Sequence, residues 1–323
     1  MPIFLWMDMY FTAVINSLIP IIMLLGVGAA AHKLRWLNRN SEDQMLRLII
    51  NVFIPCLIFA SITDEATDTS AGLIAELFAW GFAMPLVGIM ISLAVGWFVF
   101  RDQPSTRHTF ATCSGMHNYA YIPLYLIGSL FGQQVVGLVF IFTSGVELCL
   151  WSVGVTVLSG KFDRNCWKKI INPPLISLIV ALLIKNAFDA NPVPVPVQKF
   201  FSSAGAVAIP LGLLISGSTL AERLQHVRFT DRSLLKTAVA GSIIRLAVMP
   251  LLVLTVASFA AGHVQTREIL IVQAAMPAAM FTLVLSRHYK GEPVTALVII
   301  ATTTLLGFAT IPAWVALGQK WLL

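Results

Sequence analysis

Ten mostly apolar runs, at about 11–31, 45–63, 73–100, 109–131, 135–159, 170–188, 199–220, 235–258, 268–287 and 294–317, constrain this chain more than any other feature. A hydrocarbon core roughly 30 Å thick is crossed by about 20 apolar residues in a helix rising about 1.5 Å per residue. Hydrophobic residues fill 58% of the 323 positions and charged ones 11%, far from the balance of a soluble domain. The expected fold class is an all-α polytopic membrane protein with ten transmembrane helices.

The formal net charge of +6 raises nucleic acid as a partner. The basic residues lie between the apolar runs and form no stripe with exposed aromatics, which excludes that class. Cys56, Cys113 and Cys149 fall within spans and Cys166 in a basic loop, with neither disulfide nor metal-ligand spacing. Sixteen of the 21 Lys and Arg lie in loops after odd-numbered spans, four lie on the other side, and Arg245 is within span 8. Cytoplasmic loops carry the basic excess, so both termini are expected on the outer side.

The halves repeat. Pro20 and Pro174 are 154 residues apart, Pro55 and Pro210 are 155 apart, and Pro123 and Pro277 are 154 apart. Pro85 and Pro250 are 165 apart, which calls for a length change between spans 3 and 8. Five spans per half is an odd number, so the second half enters from the opposite side as an inverted repeat. The expected halves are 1–160, with spans 1–5, and 161–323, with spans 6–10.

Span 4 breaks the rule for a lipid-facing helix. His117, Asn118 and Pro123 lie near the middle of HTFATCSGMHNYAYIPLYLIGSLFG, the run that starts at His108. Proline removes a backbone donor and clashes with the preceding turn. Non-helical backbone at membrane depth is tolerated only against protein or a water-lined cavity. Span 9, its mate in the repeat, carries Pro277 in REILIVQAAMPAAMFTLVLSRHY, with Gln273 as the nearest amide. Two helices interrupted at their prolines and crossing near the midplane offer free N–H groups to an anion and free carbonyls to a cation.

Six strings in order carry a resemblance: NVFIPCLIF in span 2, HNYAYIPLYLIGSLFG in span 4, INPPLI opening span 6, IPLGLLISGSTL in span 7, IIRLAVMPLL in span 8 and AAMPAAMFTLVLSRHY in span 9. In these the chain resembles the auxin efflux carrier family of the bile acid, arsenite and riboflavin transporter superfamily, in a bacterial form. The resemblance covers nearly the whole chain. It departs at Tyr125, where relatives often carry a second proline, so the break is expected anywhere from Ile122 to Tyr125. Met280 and Phe281 stand where many relatives have an asparagine, which leaves Asn118 as the polar substrate contact. The resemblance implies broken crossover helices 4 and 9, a scaffold of spans 1, 2, 6 and 7 that forms a homodimer, and a moving transport domain of spans 3–5 and 8–10. It also implies a small organic anion as substrate and a multi-pass place in the bacterial inner (plasma) membrane.

Each polar residue within a span has two readings. Asn118 either holds a carboxylate oxygen or caps the broken backbone. His117 is either a proton-responsive contact or a neutral core histidine with one satisfied nitrogen. Tyr119 and Tyr125 stack on an aromatic substrate or simply pack. Glu147, the only acid deep within a span, is protonated, paired or facing water. The offset of the repeat sets it against Thr302, Thr303 and Thr304, a proton or cation candidate cluster. Asn51 is a reserve candidate for the site wall, and Arg245 either snorkels to the inner end of span 8 or pairs between helices.

The expected function is secondary transport of a small organic anion, such as an auxin-like carboxylate or a dicarboxylate, outward by an elevator-like alternation. The substrate contacts are Asn118, His117, Tyr119, Pro123, Tyr125, Gln273, Pro277 and Asn51. The alternatives are a sodium- or proton-coupled organic anion symporter and, further off, a channel. No cofactor is called for beyond a coupling Na+ or H+. The deep polar residues stand singly, without catalytic or metal-site clustering, so no enzyme is expected.

Overall fold

The computed structural model describes residues 3–161, 167–188, 193–225 and 232–323, and among them every regular element is a helix. Cys166 and part of the proline-rich run at 191–197 lie outside the described residues. Helix α1 spans Ile3–Lys33, α2 spans Arg39–Ile62 and α3 spans Ala71–Val99. Then come α4 (Pro104–Gly115), α5 (Tyr121–Phe131), α6 (Gln133–Ser159), the short α7 (Trp167–Ile170) and α8 (Pro173–Ala187). Helices α9 (Val195–Gly205) and α10 (Ala208–Leu224) follow almost without a gap. Helix α11 starts as Arg232–Ile243, passes through a wide turn at Ile244–Val248 and ends as Met249–Ala260. The chain finishes with α12 (Val264–Ala275), α13 (Phe281–His288) and α14 (Pro293–Leu322).

Seven stretches are long and apolar enough to cross a bilayer: α1, α2, α3, α6, α9 with α10, α11 and α14. The three other expected spans fall on shorter pieces. Span 4 is divided into α4 and α5, span 9 into α12 and α13, and span 6 is the 15-residue α8.

The local chemistry sets several of these boundaries. Asn38 caps α2 by accepting from Ser41 N while Ser41 Oγ accepts from Asn38 N. Asn172 caps α8, with prolines at the next two positions, where a missing N–H costs no helical bond. Pro55 and Pro250 lie inside long helices, and each is preceded by a π-helical turn, Ile49–Phe53 and Ile244–Val248. Ile54 N bonds Ile49 O and Met249 N bonds Ile244 O, so the turn widens instead of breaking where the proline withholds its donor.

Polarity is distributed inside out. Phe98 and Phe259 are 85% and 88% exposed, while Thr109, Thr112, Gln273, Thr303 and Arg245 are buried. Helix α1 packs along α10, and α3 packs along α6. A Cβ on Gly81 would stand 1.9 Å from Phe142 O, and one on Gly145 would stand 2.3 Å from Phe78 O. Small residues thus let the α3 and α6 backbones touch, the usual route to helix packing where lipid supplies no hydrophobic drive.

Candidate substrate site

The site is built on two interruptions that hold each other. Helix α4 ends at Gly115, and Met116 is already extended, at φ −88° and ψ 122°. Helix α12 ends at Ala275, and Met276 follows at φ −70° and ψ 143°. The two extended stretches run antiparallel, with His117 opposite Ala278. Asn118 N donates to Pro277 O at 2.7 Å, and Ala279 N donates to Met116 O at 3.1 Å. Ala278 N is taken by Thr303 Oγ1 of α14 at 3.2 Å. Buried backbone that has left the helix must find partners, and these bonds supply them.

The break in span 4 lies upstream of its expected place. Helix α5 starts at Tyr121, so Pro123 is its third residue and Tyr125 its fifth. The first turn of a helix has no intrahelical acceptor for its N–H groups, so Pro123 begins α5 without disrupting it. The interruption is at 116–120, not between Ile122 and Tyr125. In span 9 Pro277 lies within the extended stretch itself.

Arg245, from the π-helical turn of α11, reaches the same place. Its Nη1 donates to Gly115 O at 3.5 Å and its Nη2 to Ala274 O at 3.1 Å. It is fully buried, so it does not snorkel to the inner end; it bridges helices. The guanidinium thereby meets the carbonyl ends of both first half-helices, where the helix dipoles are negative.

Beside the paired interruptions is a cavity of about 120 Å³. Ile54 and Ile58 of α2 and Pro174, Leu175 and Leu178 of α8 form one wall. Tyr119, Ala120, Tyr121 and Leu124 form another, and Phe140, Thr143, Ser144 and Glu147 of α6 the third. Glu147 is the only charged residue in that lining. Its Oε2 accepts from Asn172 Nδ2 at 2.9 Å, and Asn172 Oδ1 in turn accepts from Leu175 N at 2.9 Å. Thr143 and Ser144 donate their hydroxyls to Phe140 O, at 3.1 and 2.8 Å.

The expected contacts divide into three groups. Tyr119 and Glu147 line the cavity. His117, Asn118 and Pro277 lie in the two interruptions, and Gln273 lies in the last turn of α12 before the second one. Asn118 is half-buried; its Oδ1 accepts from Ala120 N at 3.2 Å, while its Nδ2 has no partner among the described residues. His117 and Gln273 are fully buried, and neither the ring nitrogens nor the amide atoms meet a partner among the described residues. The single satisfied nitrogen expected of a core histidine is therefore not found.

Pro123, Tyr125 and Asn51 stand apart from the cavity lining. Asn51 is exposed on α2 and donates to Arg47 O at 2.6 Å, as a mid-helix amide facing outward does. Thr302 and Thr303 do not meet Glu147: Thr303 supports Ala278, and Thr302 donates to Val298 O at 2.8 Å. Glu147 is paired with Asn172 instead, a residue missed as a site candidate. Asn-Pro-Pro announces a helix N-cap, but no spacing rule links positions 25 residues apart to a carboxylate on another helix.

A bundle of helices with an apolar outside, buried polar backbone at its centre and a small chamber beside it is a multi-pass membrane protein. The family described as membrane transport protein matches residues 13–163 and again 162–315. The chain belongs to that family, the one that contains the auxin efflux carriers. It is 22% identical to an uncharacterized transporter of Methanothermobacter thermautotrophicus, over 95% of this chain and 99% of that one. It is 21% identical to an uncharacterized transporter of Methanocaldococcus jannaschii, over 92% of this chain and 97% of that one.

Proposed function

We propose that this chain is a secondary transporter of a small organic anion, moved outward through the chamber at the crossover of α4–α5 and α12–α13. In this reading the ten spans form two inverted repeats, 1–160 and 161–323. Helices α1, α2, α8, α9 and α10 are a scaffold through which two copies dimerise, and the remaining spans slide against it. Both termini face outward.

One observation carries the reading. The two interruptions are tied by Asn118 N to Pro277 O and Ala279 N to Met116 O, and the chamber lies between that knot and α2 and α8. A site shared between two groups of helices is what alternating access requires. Non-helical backbone beside a cavity is a costly arrangement that a merely structural bundle does not need.

The chamber suits a small, largely apolar acid, with the start of α5 for its carboxylate and Asn118 Nδ2, beside Tyr119 and just outside the lining, as a second contact. No basic side chain lines it, and Glu147 does. Cargo carboxylate and Glu147 in one apolar space require a proton on Glu147 in the loaded state. With that proton kept on Glu147 through the whole cycle, outward movement of one anion releases about 2.3 kcal/mol per 100 mV, inside negative.

Flux of a panel of labelled aliphatic and aromatic carboxylates into proteoliposomes, under imposed voltage, pH and sodium gradients, tests this. Saturable flux of at least one acid, driven by voltage or pH, is expected. Flux that rises linearly with concentration favours a channel, and no flux of any acid ends the anion reading.

A further inference from the structure

Three guanidinium groups gather at one end of the bundle without an acceptor of their own. There α2 is tied to α10 through Glu42, which is buried: Ser218 Oγ donates to its Oε1, and Thr219 Oγ1 donates to its Oε2 at 3.4 Å. Arg39 lies one helical turn beyond this tie on α2, and Arg223 lies one turn beyond it on α10. Arg287, in the last turn of α13, is close enough to Arg223 to repel it, as Arg39 is. Glu222 and Glu42 attract Arg223 in part.

The polar atoms at this end are left open. The guanidinium groups of Arg39, Arg223 and Arg287 make no hydrogen bond or ion pair with a described residue, although Arg223 is half-buried and its Nη1 is buried outright. A buried N–H without an acceptor is unfavourable, and more so on a cation. Helix α1 packs along α10 and ends six residues before Arg39, and Nδ1 of His32 in its last turn is a second buried atom without a described partner. The surface beside these groups is apolar. Phe281 and Val284 share a face of α13 with Arg287 and are 40% and 45% exposed, and Trp36, between α1 and Arg39, is exposed. An apolar face that leads up to guanidinium groups, with an exposed Trp beside them, is the make-up of a membrane interface.

We propose that Arg39, Arg223 and Arg287 form a site for the phosphate of an anionic phospholipid, in the leaflet that this basic end of the bundle faces. Guanidinium donates to phosphate oxygens as a planar fork, and a basic pocket between spans at this depth selects a charged headgroup. The acyl chains lie along the exposed face of α13, and the phosphate takes the donors that the protein leaves open. A choline or ethanolamine headgroup would bring one more cation to a place that already has three. A soluble phosphate would satisfy the same donors but has no use for the apolar face. The proposal goes beyond the transport reading and requires only that the chain sits in a bilayer, whatever its cargo.

The experiment uses the purified, delipidated full-length protein in a neutral detergent and follows the unfolding midpoint as short-chain phosphatidylglycerol is added. Phosphatidylcholine of the same chain length and glycerol 1-phosphate are the other two arms. A saturable rise with phosphatidylglycerol alone is expected. Arg223→Gln combined with Arg287→Gln is expected to raise the half-saturating lipid concentration about tenfold or more. Arg101→Gln, at an exposed arginine just after α3, is expected to leave it in place. If the first pair does not fold, Arg39→Gln combined with Arg287→Gln, both at exposed positions, carries the same expectation. An equal rise with phosphatidylcholine overturns the proposal, as does no rise with any lipid. So does a half-saturating concentration that the paired substitutions leave unchanged. A rise with glycerol 1-phosphate that matches the one with lipid gives the site to a soluble phosphate and overturns it too.

Discussion

Asn172 is clamped between two jobs: its Oδ1 caps α8 by accepting from Leu175 N, and its Nδ2 donates to Glu147 Oε2 at 2.9 Å. The amide cannot turn over without losing both bonds, so Glu147 is always offered a donor. Glu147→Gln keeps an acceptor for that donor and removes the charge. The transport reading expects this variant to retain flux at low pH and to lose the pH dependence of wild type. The sign follows from that reading: an anionic cargo and an anionic Glu147 would repel in one apolar space, so wild-type flux at a fixed anion concentration should fall as pH rises, and the glutamine variant should stay flat. Flux against pH at constant voltage checks it, and an unchanged pH profile would remove Glu147 from the transport step.

Asn172→Ala removes an N-cap as well as the partner of Glu147. The cap alone is worth about 1 kcal/mol. A lower unfolding midpoint is expected together with altered flux, whereas Glu147→Gln should change flux dependence with little change in midpoint. Thermal unfolding of the two variants side by side separates the structural share from the chemical one.

Asn118 has one atom committed and one to spare. Its Oδ1 holds Ala120 N at the start of α5, and its Nδ2 meets no described residue. A hydrogen bond to a charged group is worth about 1.5–3 kcal/mol, so Asn118→Ala is expected to weaken cargo binding roughly tenfold or more. Asn118→Asp keeps the acceptor for Ala120 N and replaces the donor by a charge, so it should fold like wild type and reject an anion. Equilibrium binding of whichever labelled acid is transported, on both variants, reads this. Wild-type affinity in both would put the cargo somewhere other than the crossover.

Glycine substitutions give a prediction of opposite sign at two places. A Cβ on Gly115 would stand 2.4 Å from Ile89 N, where α4 presses against α3, so Gly115→Ala must push two backbones apart. Overpacking of this kind costs about 1–3 kcal/mol. Gly26, on an exposed face of α1, has nothing within 4 Å of its added Cβ. There alanine gains helix propensity, up to about 1 kcal/mol. Unfolding midpoints should fall for the first variant and hold or rise for the second.

Much of this arrangement was legible before any coordinates. Apolar run length located most of the helices, and Pro277 marked the break in span 9 through its place in the repeat, since Pro20, Pro85 and Pro312 lie inside unbroken helices. The break in span 4 was misplaced by a few residues for a physical reason. Proline is as welcome in the first turn of a helix as it is disruptive later, so Pro123 announced that a helix starts nearby without saying on which side. Arg245 and Asn172 were harder. A lone arginine in an apolar run does not reveal which carbonyls it meets, and its partners at Gly115 and Ala274 are 130 and 29 residues away. Glu147 was visible as an anomaly, but the repeat pointed it at Thr302–Thr304, and the packing of α6 against α8 gave it Asn172 instead. Periodicity and punctuation describe elements one at a time; long-range pairing belongs to the packed whole.

The sharpest test of the moving-domain reading is a contact between two helices that the reading assigns to different bodies. Gly212 of α10, in the proposed scaffold, lies so close to Tyr121, at the start of α5 in the proposed transport domain, that an added Cβ would be 2.3 Å from the ring. Tyr121 also lines the chamber. If the domains slide, the contact must part during every cycle. Cysteines placed at 121 and 212, in a chain whose native cysteines are replaced, are expected to join through a short thiol-bridging reagent and to stop flux. A reagent cleaved by reductant should let flux return. The singly substituted chains, treated in the same way, control for the loss of the tyrosine ring. Full flux through a chain with the bridge demonstrably in place would mean that α5 and α10 do not move apart, and cargo would then have to pass through a fixed bundle.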